Sequence, residues 1–105
     1  MSKYAAFFVS GEVHERKITL PDGSEHSLFF KELPASVYRK FQIAEQSEDE
    51  NVRAGSIAKL ISASLCEEDG SQGMTYEQAL NLKASAANKL LDAVLEVNGR
   101  KEKNA

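Results

Sequence analysis

ITLPDGSEHSLFF, residues 18–30, alternates twice and breaks once. Ile18 and Leu20 share one face of a first extended arm, Leu28 and Phe30 share one face of a second, and Pro21-Asp22-Gly23-Ser24 separates the two. Proline presets φ at the second position of a turn, and glycine tolerates the positive φ that closes it. The stretch reads as a β-hairpin. With its turn centred near Asp22-Gly23, paired residue numbers sum to about 45, so His26 would face Thr19 and His14 would lie near Lys31. Phe29 points away from the face of Leu28 and Phe30, and its exposure would signal a partner.

Upstream, YAAFFV at residues 4–9 is aromatic and β-prone, and reads as a further strand ended by Ser10-Gly11. The run is too short for a secretory signal core with its cleavage site, and far too short to span a bilayer. Downstream, Leu33-Pro34 closes the strand region, because proline cannot donate to a ladder but suits the first turn of a helix. A first helix over 34–46 carries Val37, Phe41 and Ala44 on one stripe, with Tyr38 alongside. The polar SEDEN at 47–51 ends it, and its acids suit the positive end of the next helix dipole. That second helix, over 51–66, places Ala54, Ile57, Ala58, Leu60, Ile61, Ser64 and Leu65 in an arc of about 160°. Gly55 inside it predicts close approach by a neighbouring element.

The acids Glu67, Glu68 and Asp69 oppose a helix C-terminal dipole, so the second helix should stop near Cys66, with Gly70 supplying a left-handed residue. Thr75 and Gln78 have capping-box spacing, and a short helix with Tyr76, Ala79, Leu80 and Leu82 should follow. After a break at 83–85, with Ser85 a possible cap, a last helix reaches Asn98-Gly99. Its apolar residues, among them Leu90, Leu91, Val94, Leu95 and Val97, cover about 200°, where a surface helix needs little more than about 100°. Either this helix is central to a small core, or one side of it meets another subunit or a partner. In the second case Leu91→Asp or Leu95→Asp should disrupt self-association more than folding.

These elements predict a helix-dominated α+β fold: an N-terminal hairpin or small antiparallel sheet, then about four helices. The 105 residues form one domain over 1–99, β-rich at 1–32 and helical at 34–99, with 100–105 a flexible tail. A net charge of −3 argues against nucleic acid, whose phosphates need clustered Lys and Arg. The single Cys66 suits a reducing compartment. No catalytic, metal or cofactor site emerges. The acidic loop fits no calcium-binding register: with Gly73 sixth, the third ligand position is Gly70, and with Gly70 sixth, the first is Leu65. His14 and His26 should lie too far apart to share a metal. Neither Ser62 nor Ser64 sits in a nucleophile elbow, and there is no phosphate-binding glycine motif. The chain reads as a binding or assembly protein, not an enzyme.

Four features in order are the LP entering the first helix, the ASLC helix end with its acidic Asp-Gly loop, the T-x-E-Q-A restart, and the closing AVLEVNG. In that order and spacing, residues 18–99 resemble the tail assembly chaperones of long-tailed (siphovirus-type) bacteriophages. The resemblance implies a protein of the host bacterial cytoplasm that binds the tape measure protein and keeps it soluble while tail tube subunits assemble. It also implies self-association as a ring or spiral, absence from the finished virion, and a longer product of ribosomal frameshifting that recruits the tail tube protein. Glu102-Lys103-Asn104 can be encoded by a slippery heptamer. The alternative is a structural tail or head–tail connector component. No cofactor, nucleic acid or membrane is expected; the expected protein-interaction residues are Phe29, Tyr38, Leu91 and Leu95.

Overall fold

A computed structural model describes residues 3–99, so the expected tail at 100–105 lies outside the described residues. Strands β1 (Val13–Thr19) and β2 (Glu25–Lys31) form the antiparallel hairpin, and β3 (Leu65–Cys66) adds to the far side of β2, giving the sheet order β1-β2-β3. Helices α1 (Ala35–Glu45), α2 (Glu50–Ser64), α3 (Tyr76–Ala79) and α4 (Ala84–Val97) complete an α+β fold in which helix predominates.

The hairpin register differs by one from the sequence expectation. Ile18 pairs with His26 and His14 with Phe30, so partner numbers sum to 44. The cause is the turn. Gly23 N–H donates to the Leu20 carbonyl and Leu20 N–H to the Ser24 carbonyl, both at 2.9 Å, leaving Pro21-Asp22-Gly23 as a three-residue loop with Gly23 at φ +88°. A glycine in that conformation adds one bulge residue beyond a two-residue turn. The shift has a large consequence. Directly opposed residues share a sheet face, and the observed register puts Ile18, Leu28 and Phe30 together on one side. Ile18 and Phe30 are buried there, and Leu20 and Leu28 pack against the same cluster. Four rungs, or about 13 Å, separate the two histidines along the hairpin.

The second helix is also shorter than its apolar pattern suggests. Asp49 caps α2 by accepting from Asn51 N–H, and Glu50 stands in the first turn, where the dipole favours an acid. At the other end Leu65 turns extended (φ −66°, ψ 128°), and Leu65 and Cys66 leave the helix to pair with Phe30 and Phe29. The Ser64 hydroxyl donates to the Lys31 carbonyl at 2.7 Å and fastens this junction to β2. The acidic loop then repeats the hairpin turn. Gly70 N–H donates to the Glu67 carbonyl and Glu67 N–H to the Ser71 carbonyl, with Gly70 at φ +89°, and Cys66 bridges to Gln72. In both turns the aspartate Oδ1 accepts from the N–H and hydroxyl of the serine two residues on. These bonds hold Asp22 and Asp69 below the usual carboxylate pKa. A depressed folded pKa contributes stability above the ordinary carboxylate range, which is lost as pH falls through the folded value. The stretch is a corner built from Asp-Gly-Ser.

Thr75 and Gln78 make the expected capping box: the Thr75 hydroxyl accepts from Gln78 N–H at 3.1 Å, and the Gln78 side chain accepts from Thr75 N–H at 2.9 Å. Thr75→Ala is expected to lower unfolding free energy by about 1 kcal/mol, read as a shifted urea midpoint with unchanged slope. Gly55 also meets its expectation, since a Cβ there would sit 2.6 Å from the Tyr76 hydroxyl that crosses it. Ser85 does not cap the last helix. Lys83 occupies that position with no side-chain hydrogen bond, and its carbonyl accepts from Ala87 N–H. Leu82 and Ala87, packed against the core, fix where the helix begins.

α4 runs through the centre of the molecule. Leu90, Ala93, Val94, Leu95 and Val97 are buried against Phe30 of the sheet and Leu60 and Ile61 of α2. Its wide apolar arc is therefore largely consumed within the chain, leaving Asn88, Lys89, Asp92 and Glu96 on the outer side. Arg16 of β1 donates to Glu96 at 2.8 Å and ties the sheet to this polar side.

Candidate interaction surfaces

Residues 4–9 are not a strand. Ala5–Phe7 form one 3-10 turn, with Phe7 N–H donating to the Tyr4 carbonyl and Phe8 N–H to that of Ala5. Aromatic strand propensity reflects fit to a pleated, half-buried surface. The described sheet offers this segment no such place. Tyr4, Phe7, Phe8 and Val9 are instead exposed, Phe7 at 81% and Phe8 at 67%. Burying a phenylalanine is worth about 1.5–3 kcal/mol, so this arm carries unused driving force.

Beside the arm lies an open groove of about 860 Å³. Ala6 to Val9 form one wall; Leu33, Pro34, Ala35 and Tyr38 form another; Leu95, Val97, Asn98 and Gly99 close it from the end of α4. Asn98 holds the last two walls together. Its side chain accepts from Leu33 N–H at 2.7 Å and donates to the Val94 carbonyl at 2.8 Å. Among the described residues Glu32 is the one charged residue lining the groove, its carboxylate 4.0 Å from the His14 ring.

A second, smaller cleft of about 250 Å³ opens between α2, α3 and the start of α4, lined by Ile57, Ile61, Leu80, Leu82 and Ala87 among others. Leu80 at its edge is half exposed. From Ala87 to Leu95 is eight residues of helix, or about 12 Å. The two apolar openings therefore sit at opposite ends of α4.

Of the four residues expected to meet partners, Tyr38 and Leu95 come together in the groove. Tyr38 is half-buried with its ring 6.0 Å from that of Phe41. Leu95 is only 7% exposed and belongs to the core, so the groove reaches no more than its edge. Leu91 is half-buried against the core. Phe29 lies on the opposite face of the sheet, half-buried across from Glu15 and Cys66. Sequence reasoning passes over Phe7 and Phe8. The signal is present in YAAFFV, an aromatic run that Ser10-Gly11 separates from the hairpin.

Neither opening gathers reactive groups. Among the described residues no three of His, Cys, Asp and Glu cluster as metal ligands. Cys66 is buried, and that burial pushes its thiol pKa up, which keeps the sulfur protonated and a poor nucleophile. No helix among the described residues is long and apolar enough to cross a membrane. Both openings offer apolar contact.

A family model described as "Phage tail assembly chaperone, TAC" matches residues 3–98, which includes the aromatic arm. No curated protein and no solved structure matches the chain.

Proposed function

From the premise that the chain belongs to the phage tail assembly chaperone family, we propose that it binds the tape measure protein and holds it soluble while tail tube subunits assemble. The observation that carries this reading is the pair of apolar openings at the two ends of α4. A protein that coats a long client must touch both the client and its own neighbours, and two surfaces on one small domain permit both. Weak contacts repeated along one client gain avidity without any new contact. The net charge of −3 limits further association of the coated complex.

In this reading the chain acts in the host bacterial cytoplasm as a ring or spiral and leaves before the virion is complete. A longer frameshifted product recruits the tail tube protein. Co-expression with the tape measure protein is expected to raise that protein's soluble yield several-fold and to co-purify it. Leu80→Asp, at the exposed rim of the smaller cleft, is expected to reduce the captured amount. An unchanged client yield with the wild-type chain would reject the function. Mass spectrometry of purified particles should find the tube protein and not this chain.

A further inference from the structure

We propose that the aromatic arm of one copy fills the groove of a second copy, so that each chain donates Phe7 and Phe8 and accepts a neighbour's. This deepens the chaperone reading by assigning one of the two openings to self-association, and rests on that reading only for the expectation that copies meet.

The groove and the residues fit to fill it stand side by side unused. Phe7 and Phe8 line one wall, yet are 81% and 67% exposed, and about 860 Å³ lies open between that wall and Leu33, Pro34, Ala35 and Tyr38. Because the chain's own arm already forms the wall, filling the space calls for a further apolar segment. The arm is built to be that segment for a neighbour. The hydrogen bonds of its 3-10 turn stay within it, and it joins β1 through the exposed residues Ser10, Gly11 and Glu12, with no atom beyond its chain neighbours within 4 Å of a Cβ built at Gly11.

Charge selects the same occupant. Across residues 3–10 the only charged side chain is Lys3, a cation, while among the described residues the only charged one lining the groove is Glu32. An incoming arm therefore brings a positive end to a negative rim, although two whole copies, each at −3, repel. Arm and groove are different surfaces of one chain. Their contact is head-to-tail, which closes into a ring when the rotation between copies permits and otherwise runs on as a spiral.

Light scattering on the purified full chain, without any client, tests this directly. The wild type is expected as an oligomer. Phe7→Ser/Phe8→Ser, which removes the arm's anchors, and Ala35→Arg, which blocks the groove from an exposed position and repels Lys3, should each give a single chain of 11.6 kDa. Both should keep the wild-type circular dichroism. Mixed together, the groove-blocked chain still has an arm and the arm-defective chain still has the facing wall of Leu33, Pro34, Ala35 and Tyr38, so the mixture should form a complex of two chains. A monomeric wild type, an oligomer that survives both variants, or a mixture that stays as single chains would overturn the assignment. A monomer that still solubilises the tape measure protein would remove the arm's role and leave the function standing. An oligomer dissolved by both variants but without client capture would do the reverse.

Discussion

Phe30→Ala is expected to cost about 3–5 kcal/mol of folding stability, the usual range for deleting a buried aromatic ring. A domain of this size has about 5–15 kcal/mol in total. Phe30 is wholly buried, and its position explains why a single ring matters so much. It sits in the central strand, paired with His14 on β1 and with Leu65 on β3, and its side chain meets the core built on α4 and α2. Removing it leaves a void where the sheet, α2 and α4 meet. Urea unfolding followed by circular dichroism should show the midpoint falling by at least about a fifth. A loss below about 1 kcal/mol would mean that the sheet and α4 are not packed as described.

Leu95→Asp is expected to abolish folding, whereas Leu91→Asp should leave a folded chain. Both leucines lie on the apolar arc of α4, and sequence alone treats them alike. The structure separates them: Leu95 is 7% exposed inside the core, while Leu91 is half-buried at its margin. An unpaired carboxylate in an apolar interior costs several kcal/mol or must take up a proton. Among the described residues Leu95 has Leu33, Tyr38 and Val97 beside it in the groove wall, with no cation lining that groove. The Leu95→Asp variant should therefore be recovered as insoluble material or as a chain without a cooperative thermal transition. Leu91→Asp should melt cooperatively with a lowered midpoint. A well-folded Leu95→Asp chain with altered mass would instead show that α4 presents this residue to a partner.

The helices are legible in the sequence because their apolar spacing, the acids at the start of α2, the Thr75 cap and the Asn98-Gly99 stop all agree. The sheet is legible only in part. The hairpin's existence follows from Pro21 and Gly23, but its register depends on one bulge residue, and counting to a turn centre cannot detect that. β3 is hidden because Leu65 and Cys66 continue the apolar pattern of α2; what pulls them out is pairing with β2, a tertiary contact. Phe7 and Phe8 mislead for the opposite reason. Their propensity is plain, but propensity does not supply a neighbouring strand. Of the interaction residues, Tyr38 and Leu95 lie at the groove because one belongs to the first turns of α1 and the other to the last turn of α4, a meeting no local pattern records.

The Asn98 clasp has a practical consequence. It draws the end of α4 against Leu33, so the chain enters and leaves its described fold at one rim, with residues 6–9 on one bank and Asn98 and Gly99 on another. A bulky label attached within residues 6–9 or at Gly99 would stand over the same opening and crowd it. The Pro21-Asp22-Gly23 loop sits at the far end of β2, about 20 Å away by strand rise. A label grafted into that tip is the arrangement that reports on assembly without standing in its way.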